Sequence, residues 1–158
     1  VAKKAFEEYL QKHPAGAFRL NSYYYKGVIC YNQGNEDEAL ENFEKVLEFP
    51  ANQYREEAMV VTADIYYNSS ALEKASALYK EIAANSSNEA RQKTALTRVL
   101  YIAIEQGNNN DIIEYATKVE SLPGISPEKT MPARSAKSDS ILIIIDATAG
   151  SVSFCATI

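Results

Sequence analysis

The stretch CYNQGNEDEALENFEK, residues 30–45, returns further along the chain as YYNSSALEKASALYKE, residues 66–81. Tyr31-Asn32 and Tyr67-Asn68 stand at the head of the two copies. Ala39 and Ala75 follow seven positions after the Asn, and Phe43 and Tyr79 four positions later. The charges change between copies while the small and apolar positions are kept. Ala39 to Ala75 is 36 residues, and a looser third copy extends the series with Ala75 to Ile112 at 37. Self-similarity at such a period limits the fold severely. Each period is one supersecondary unit that cannot bury its apolar face alone and must stack on its neighbours.

Within each period the apolar residues recur at three- and four-residue spacing, which is the spacing of a helix with one buried face. YYYKGVICYNQG and EDEALENFEKVLEFP form the first pair, joined at Gly34-Asn35, a stop signal followed by a start signal. EEAMVVTADIYYN and ALEKASALYKEIAAN form the second, joined across Ser69-Ser70. RQKTALTRVLYIAIEQG and NDIIEYATKVESL form the third, joined across Gly107 to Asn110. Gly27 and Ala63 fall mid-way along the first helix of their pairs, and Ala39 and Ala75 early in the second. Small side chains there let antiparallel helices approach closely, with Phe43 and Tyr79 filling the space between one pair and the next. Gly27 costs about 1 kcal/mol of helix propensity against Ala, and close packing is the expected compensation.

This pattern resembles the tetratricopeptide repeat (TPR) family. In the first full repeat Tyr23 stands for the opening aromatic and Gly27 for the Gly; Ala39 and Phe43 match directly. Lys26 replaces the usual Leu, Cys30 with Tyr31 covers the second aromatic position, and Pro50 comes one residue early. Met59, Ala63, Tyr66, Ala75 and Tyr79 take the same places in the second repeat, and Leu100, Ile112 and Ala116 in the third. The resemblance implies an all-α fold, a right-handed α-α superhelix. Its expected parts are the second helix of a partial repeat at 1–14, repeats at 20–53, 56–88 and 93–124, and the first helix of a further repeat at 126–138. The longer period is similar to divergent repeats of bacterial cell-envelope proteins, which favours a periplasmic or envelope location over a cytoplasmic one.

In that family the first helix of each pair lines a concave groove where partner peptides lie. Carried over, the groove positions are Asn21, Tyr24, Val28, Tyr31 and Asn32 in the first repeat. They are Glu57, Val60, Asp64, Tyr67 and Asn68 in the second, and Thr94, Thr97, Tyr101, Ile104 and Glu105 in the third. Tyr offers broad, rigid contact area with a polar tip, and Asn both donates to and accepts from a peptide backbone. The competing reading makes these ordinary amphipathic residues, Asn being common near helix C-termini. The family's carboxylate clamp, built from Lys and Asn, is not matched. Glu57, Asp64 and Glu105 favour a neutral or basic partner segment instead.

Chemistry-bearing motifs are scarce. His13 is the only histidine and precedes Pro14 at a helix end; Cys30 and Cys155 are the only cysteines, too far apart for a metal cluster or a disulfide framework. Cys30 falls at a core position. There is no glycine-rich phosphate loop and no G-x-S-x-G elbow. The acidic runs NEDEALE and YREEAMV lie near helix starts, where the dipole favours negative charge. A net charge of −5 argues against a broad nucleic-acid surface, and no run of eighteen apolar residues spans a bilayer. The expectation is a protein without catalysis, metal or cofactor, acting as an interaction scaffold. Two alternatives are a self-associating module, dimerising through incomplete repeats at its ends, and an accessory region of a larger, even enzymatic, chain. The first residues read as the inside of a helix, so the chain is expected to be a piece of a longer protein.

The last twenty residues change character. DSILIIIDATAGSVSFCATI is rich in β-branched residues and nearly uncharged, and predicts one or two strands around Ala149-Gly150. This non-repeat tail, 139–158, is read as a cap on the last repeat, the start of a further domain, or a non-native continuation.

Overall fold

The computed structural model describes residues 2–122 and two strands at 141–146 and 151–156. Among these residues the helices run α1 Ala2–Lys12, α2 Arg19–Asn32, α3 Glu36–Leu47, α4 Arg55–Asn68, α5 Leu72–Asn85, α6 Glu89–Gln106 and α7 Asn109–Glu120. The pairs α2/α3 and α4/α5 pack as helical hairpins, as the repeat predicts; α6 and α7 are joined by a turn of the same kind, and α1 packs on α2 before them. The third pair begins earlier than expected: α6 starts at Glu89, whose turn is opened by Asn88 Oδ1 accepting from Arg91 N at 3.1 Å. The stretch 126–138, expected to start a further helix, lies outside the described residues.

One turn geometry joins each pair. Gly34, Ser70 and Gly107 all have positive φ, at 76°, 65° and 65°. In each turn the next residue's N–H reaches back five positions: Asn35 N to Cys30 O (2.9 Å), Ala71 N to Tyr66 O (2.8 Å) and Asn108 N to Ala103 O (2.9 Å). The left-handed residue itself donates to the carbonyl three before it, in Tyr31, Tyr67 and Ile104. These paired bonds form a Schellman motif, which satisfies the orphan carbonyls of a helix end. Two of the following helices are then capped by Asn: Asn35 Oδ1 accepts from Glu38 N, and Asn108 Oδ1 from Asp111 N. The sequence marked the Gly-Asn junctions directly and the Ser-Ser one only by position in the repeat.

Two compact units divide the chain, 1–92 and 93–158, with the boundary inside α6. In the first, α1 packs on α2, α2 on α3, α3 on α4 and α4 on α5. Its core gathers Tyr24, Cys30, Ala39, Phe43, Val46, Ala58 and Ile65. Gly27 is buried against Phe43: a Cβ there would lie 3.0 Å from Phe43 Cε1. The absent side chain makes room for the ring, which is the compensation its helix cost requires. Phe43 therefore serves its own pair as well as the next, since the same cluster includes Ala58 and Ile65 of α4. Beside this core a charged group ties three helices. Glu38 accepts from Lys3 at 2.6 Å and pairs with Lys26 at 3.1 Å, and Lys26 reaches Glu7 at 3.5 Å.

In the second unit α6 buries Ala95, Val99, Leu100, Ile102 and Ala103, and α7 buries Ile112, Tyr115, Ala116 and Val119. These are the helical spacings read from the sequence. Strands β1 Ile141–Asp146 and β2 Ser151–Ala156 pair antiparallel, with Ile141 opposite Ala156 and Asp146 opposite Ser151. The strand expectation for the tail holds in its two-strand form. The repeat region is an all-α helical repeat.

Candidate protein-interaction face

On the first unit, α2 and the start of α4 bring several expected groove residues together. Tyr24 stacks on Tyr54 with ring centroids 4.0 Å apart and planes 13° apart. Asn21 Nδ2 donates to the Tyr54 hydroxyl at 2.9 Å. Tyr25 meets Tyr54 edge-on at 6.0 Å and lies parallel to Phe6 of α1, also at 6.0 Å. The result is an aromatic shelf across α1, α2 and the residue that precedes α4. Tyr24 is only 8 % exposed, while Tyr25 is 44 % exposed and carries the accessible part of the shelf.

Electrostatics at the shelf are one-sided. Burial, and then the Glu57 carboxylate beside it, push the Tyr24 phenol up to about 12. A hydrogen bond to Tyr54 raises the Tyr25 phenol as well. Both rings stay neutral across the physiological range. Glu57 itself is exposed in the first turn of α4.

The other expected positions fare differently. Val28 and Val60 are half-buried, and Val28 packs on the core. Asp64 accepts a hydrogen bond from the Tyr79 hydroxyl, so it also ties α4 to α5. Asn32 and Asn68 are both exposed, each the last residue of its helix. Tyr31 and Tyr67, identical in the sequence repeat, differ: Tyr31 is 37 % exposed and Tyr67 4 %. In the second unit Thr94 and Glu105 are exposed, and Thr97, Tyr101 and Ile104 half-buried. Thr97 Oγ1 donates back to Lys93 O at 2.8 Å.

Sequence reasoning missed Phe6, Tyr25 and Tyr54. Tyr25 was signalled by the run Tyr23-Tyr24-Tyr25, where three consecutive aromatics cannot all face one side of a helix. Tyr54 precedes α4 and lies outside the periodic positions, so no spacing rule reaches it. A separate recess of about 230 Å³ lies between the start of α4 and the end of α5, floored by Met59 and Ile82 and edged by Arg55, Glu81 and Asn85. Among the described residues no group of three or more His, Cys, Asp or Glu is placed to hold a metal ion. No described helix is long and apolar enough to cross a membrane.

Helix pairs repeated at one period, sealed by one turn type and carrying an aromatic face, define a helical-repeat module. Residues 21–49, which take in α3 and α2 from its third residue on, match the family model described as Tetratricopeptide repeat. No curated protein matches the chain. The repeat supports a protein–protein interaction module in general.

Proposed function

We propose that the chain is a non-catalytic scaffold that holds a segment of another protein against the first helices of its pairs, in the assembly of a bacterial cell envelope. The observation that carries this reading is the half-exposed shelf of Phe6, Tyr25 and Tyr54 beside Asn21 and Glu57. Rigid aromatic area with polar tips is what a protein partner's segment uses. Asn32 and Asn68, exposed at corresponding helix ends, offer amide hydrogen bonds along the same helices. The envelope setting rests on the similarity of the longer period to envelope repeats, and secretion of the full-length product tests it.

The binding reading is tested by selecting binders from a displayed library of random twelve-residue peptides and mapping them on the full chain by amide chemical shifts. Shifts concentrated at Asn21, Tyr25, Asn32 and Glu57 support it. Shifts confined to the outer faces of α3 and α5 overturn it. Tyr67→Ala is a poor probe, because that ring is buried; Tyr31→Ala with Asn32→Ala changes exposed groups only.

Self-association is the second reading, favoured by Phe18, 66 % exposed in the α1–α2 connection with the Tyr9 ring edge-on beside it at 6.2 Å. Light scattering across the micromolar range decides it, since a constant monomer mass removes the homodimer.

A further inference from the structure

We propose that a recess between the start of α2 and the end of α3 captures an acidic side chain, Asp or Glu, of another protein, with the Arg19 guanidinium as its principal partner. The recess uses none of the groove positions, so it goes beyond the scaffold reading and is tested apart from it.

Two recesses occupy equivalent places in successive repeats. The first, of about 370 Å³, is lined by Arg19, Tyr23, Lys45, Glu48, Phe49 and Pro50. The second is the recess of about 230 Å³ at α4 and α5. In its wall Arg55, Met59, Glu81, Asn85 and Ser86 stand 36 residues after Arg19, Tyr23, Lys45, Phe49 and Pro50. The two arginines are anchored alike. Arg55 Nη1 donates to Leu47 O at 2.8 Å and Arg19 Nη1 to Pro14 O at 2.9 Å, each carbonyl lying at or just past the end of the preceding helix. What differs is the counter-charge. In the second recess Arg55 pairs with Glu81 at 3.4 Å. In the first, Lys45 stands where Glu81 does, and the lining carboxylate, Glu48, is held by Lys45 at 2.6 Å. Among the described residues no carboxylate pairs with Arg19, whose guanidinium lies over the Phe49 ring at 4.8 Å. The ring and the Pro14 carbonyl orient that guanidinium and leave its other N–H donors for a ligand, so a carboxylate meets a partner already in place. The Tyr23 hydroxyl and the Lys45 ammonium line the same recess as further donors. Two cations against one carboxylate leave its wall positive, in a chain whose net charge is −5. What Glu81 supplies inside the second pair, a partner's acidic residue supplies in the first.

The test selects peptides from a displayed random library against the full chain and follows the Arg19 Nε–H signal by NMR, with inorganic phosphate titrated separately. The protein variants are Arg19→Gln and Lys45→Glu. Lys45 is exposed and Arg19 half-buried, and thermal melts confirm the fold of both variants. Lys45→Glu reproduces the charge pattern of the second recess, so the Arg19 signal should move before any peptide is added. Peptides that move this signal in the unaltered chain should carry Asp or Glu. Replacing that residue by Asn or Gln, or using either protein variant, should weaken binding about fivefold. Peptides that move the signal without an acidic residue, acidic peptides that bind Lys45→Glu unchanged, or an Arg19 signal unmoved in that variant overturn the inference. So does a recess that answers to phosphate and to no selected peptide. Each of these results leaves the groove reading standing.

Discussion

Thr62 is 1 % exposed, and its hydroxyl finds no hydrogen-bond partner among the described residues. A buried hydroxyl that gives up water for nothing costs about 1–3 kcal/mol, whereas an isosteric methyl costs none of that. Thr62→Val should therefore raise stability by about 1 kcal/mol, read as a higher denaturation midpoint; an unchanged or lower midpoint refutes the assignment. The left-handed turn residues make the opposite case. Gly34 has φ +76° and nothing within 4 Å of a built Cβ, so Gly34→Ala tests backbone strain without a clash. The expected loss is about 1 kcal/mol, measured by urea denaturation. The sequence made Gly34 legible because glycine announces positive φ. It hid Ser70, which adopts the same conformation with a residue that rarely does. What exposes Ser70 is its place 36 residues after Gly34 in the repeat.

At the scale of helices, Glu38 does more than its position in α3 suggests. The acidic run at the start of α3 suits the helix dipole, with Glu36, Asp37 and Glu38 occupying that first turn. Glu38 also binds Lys3 of α1 and Lys26 of α2, which no pattern within one helix can reveal. The hydrogen bond from Lys3, and then that from Lys26, hold its carboxyl below the ordinary value of 4.5 against the opposing effect of burial. A folded-state pKa below the unfolded one means stability that is present above about 4.5 and lost as pH falls through the lower folded value. Stability measured from pH 6 down to 3 should decline, and Glu38→Gln should flatten that decline. An identical slope in the variant refutes the tie. The Tyr-Asn repeat carries the reverse lesson. Tyr31 and Tyr67 match in sequence but not in exposure, because repeat position fixes the direction of a side chain and not what stacks over it.

Over the whole molecule, stability should follow burial. No residue of α1 is fully buried, whereas α4 buries seven. Amide exchange should accordingly be fastest in α1 and slowest in the hydrogen-bonded interiors of α3 and α4, since local opening in a repeat costs only the neighbouring interface. Equal protection across α1 to α4 would refute that gradient. The helical hairpins were legible throughout because a period of 36 or 37 residues can be filled by little else, and the tail's strands because β-branched residues crowd there. The shelf was only half legible, since Tyr54 comes from a connection that the periodicity does not index, and Phe6, though in repeat register, lies on a second helix outside the carried-over groove positions. The close seating of Phe43 over Gly27 reaches beyond this one chain. The two positions share a single volume, so descent should couple them. Lineages that gain a methyl group at 27 are expected to trim or tilt the ring at 43, and paired change at these sites would be the imprint of that shared space.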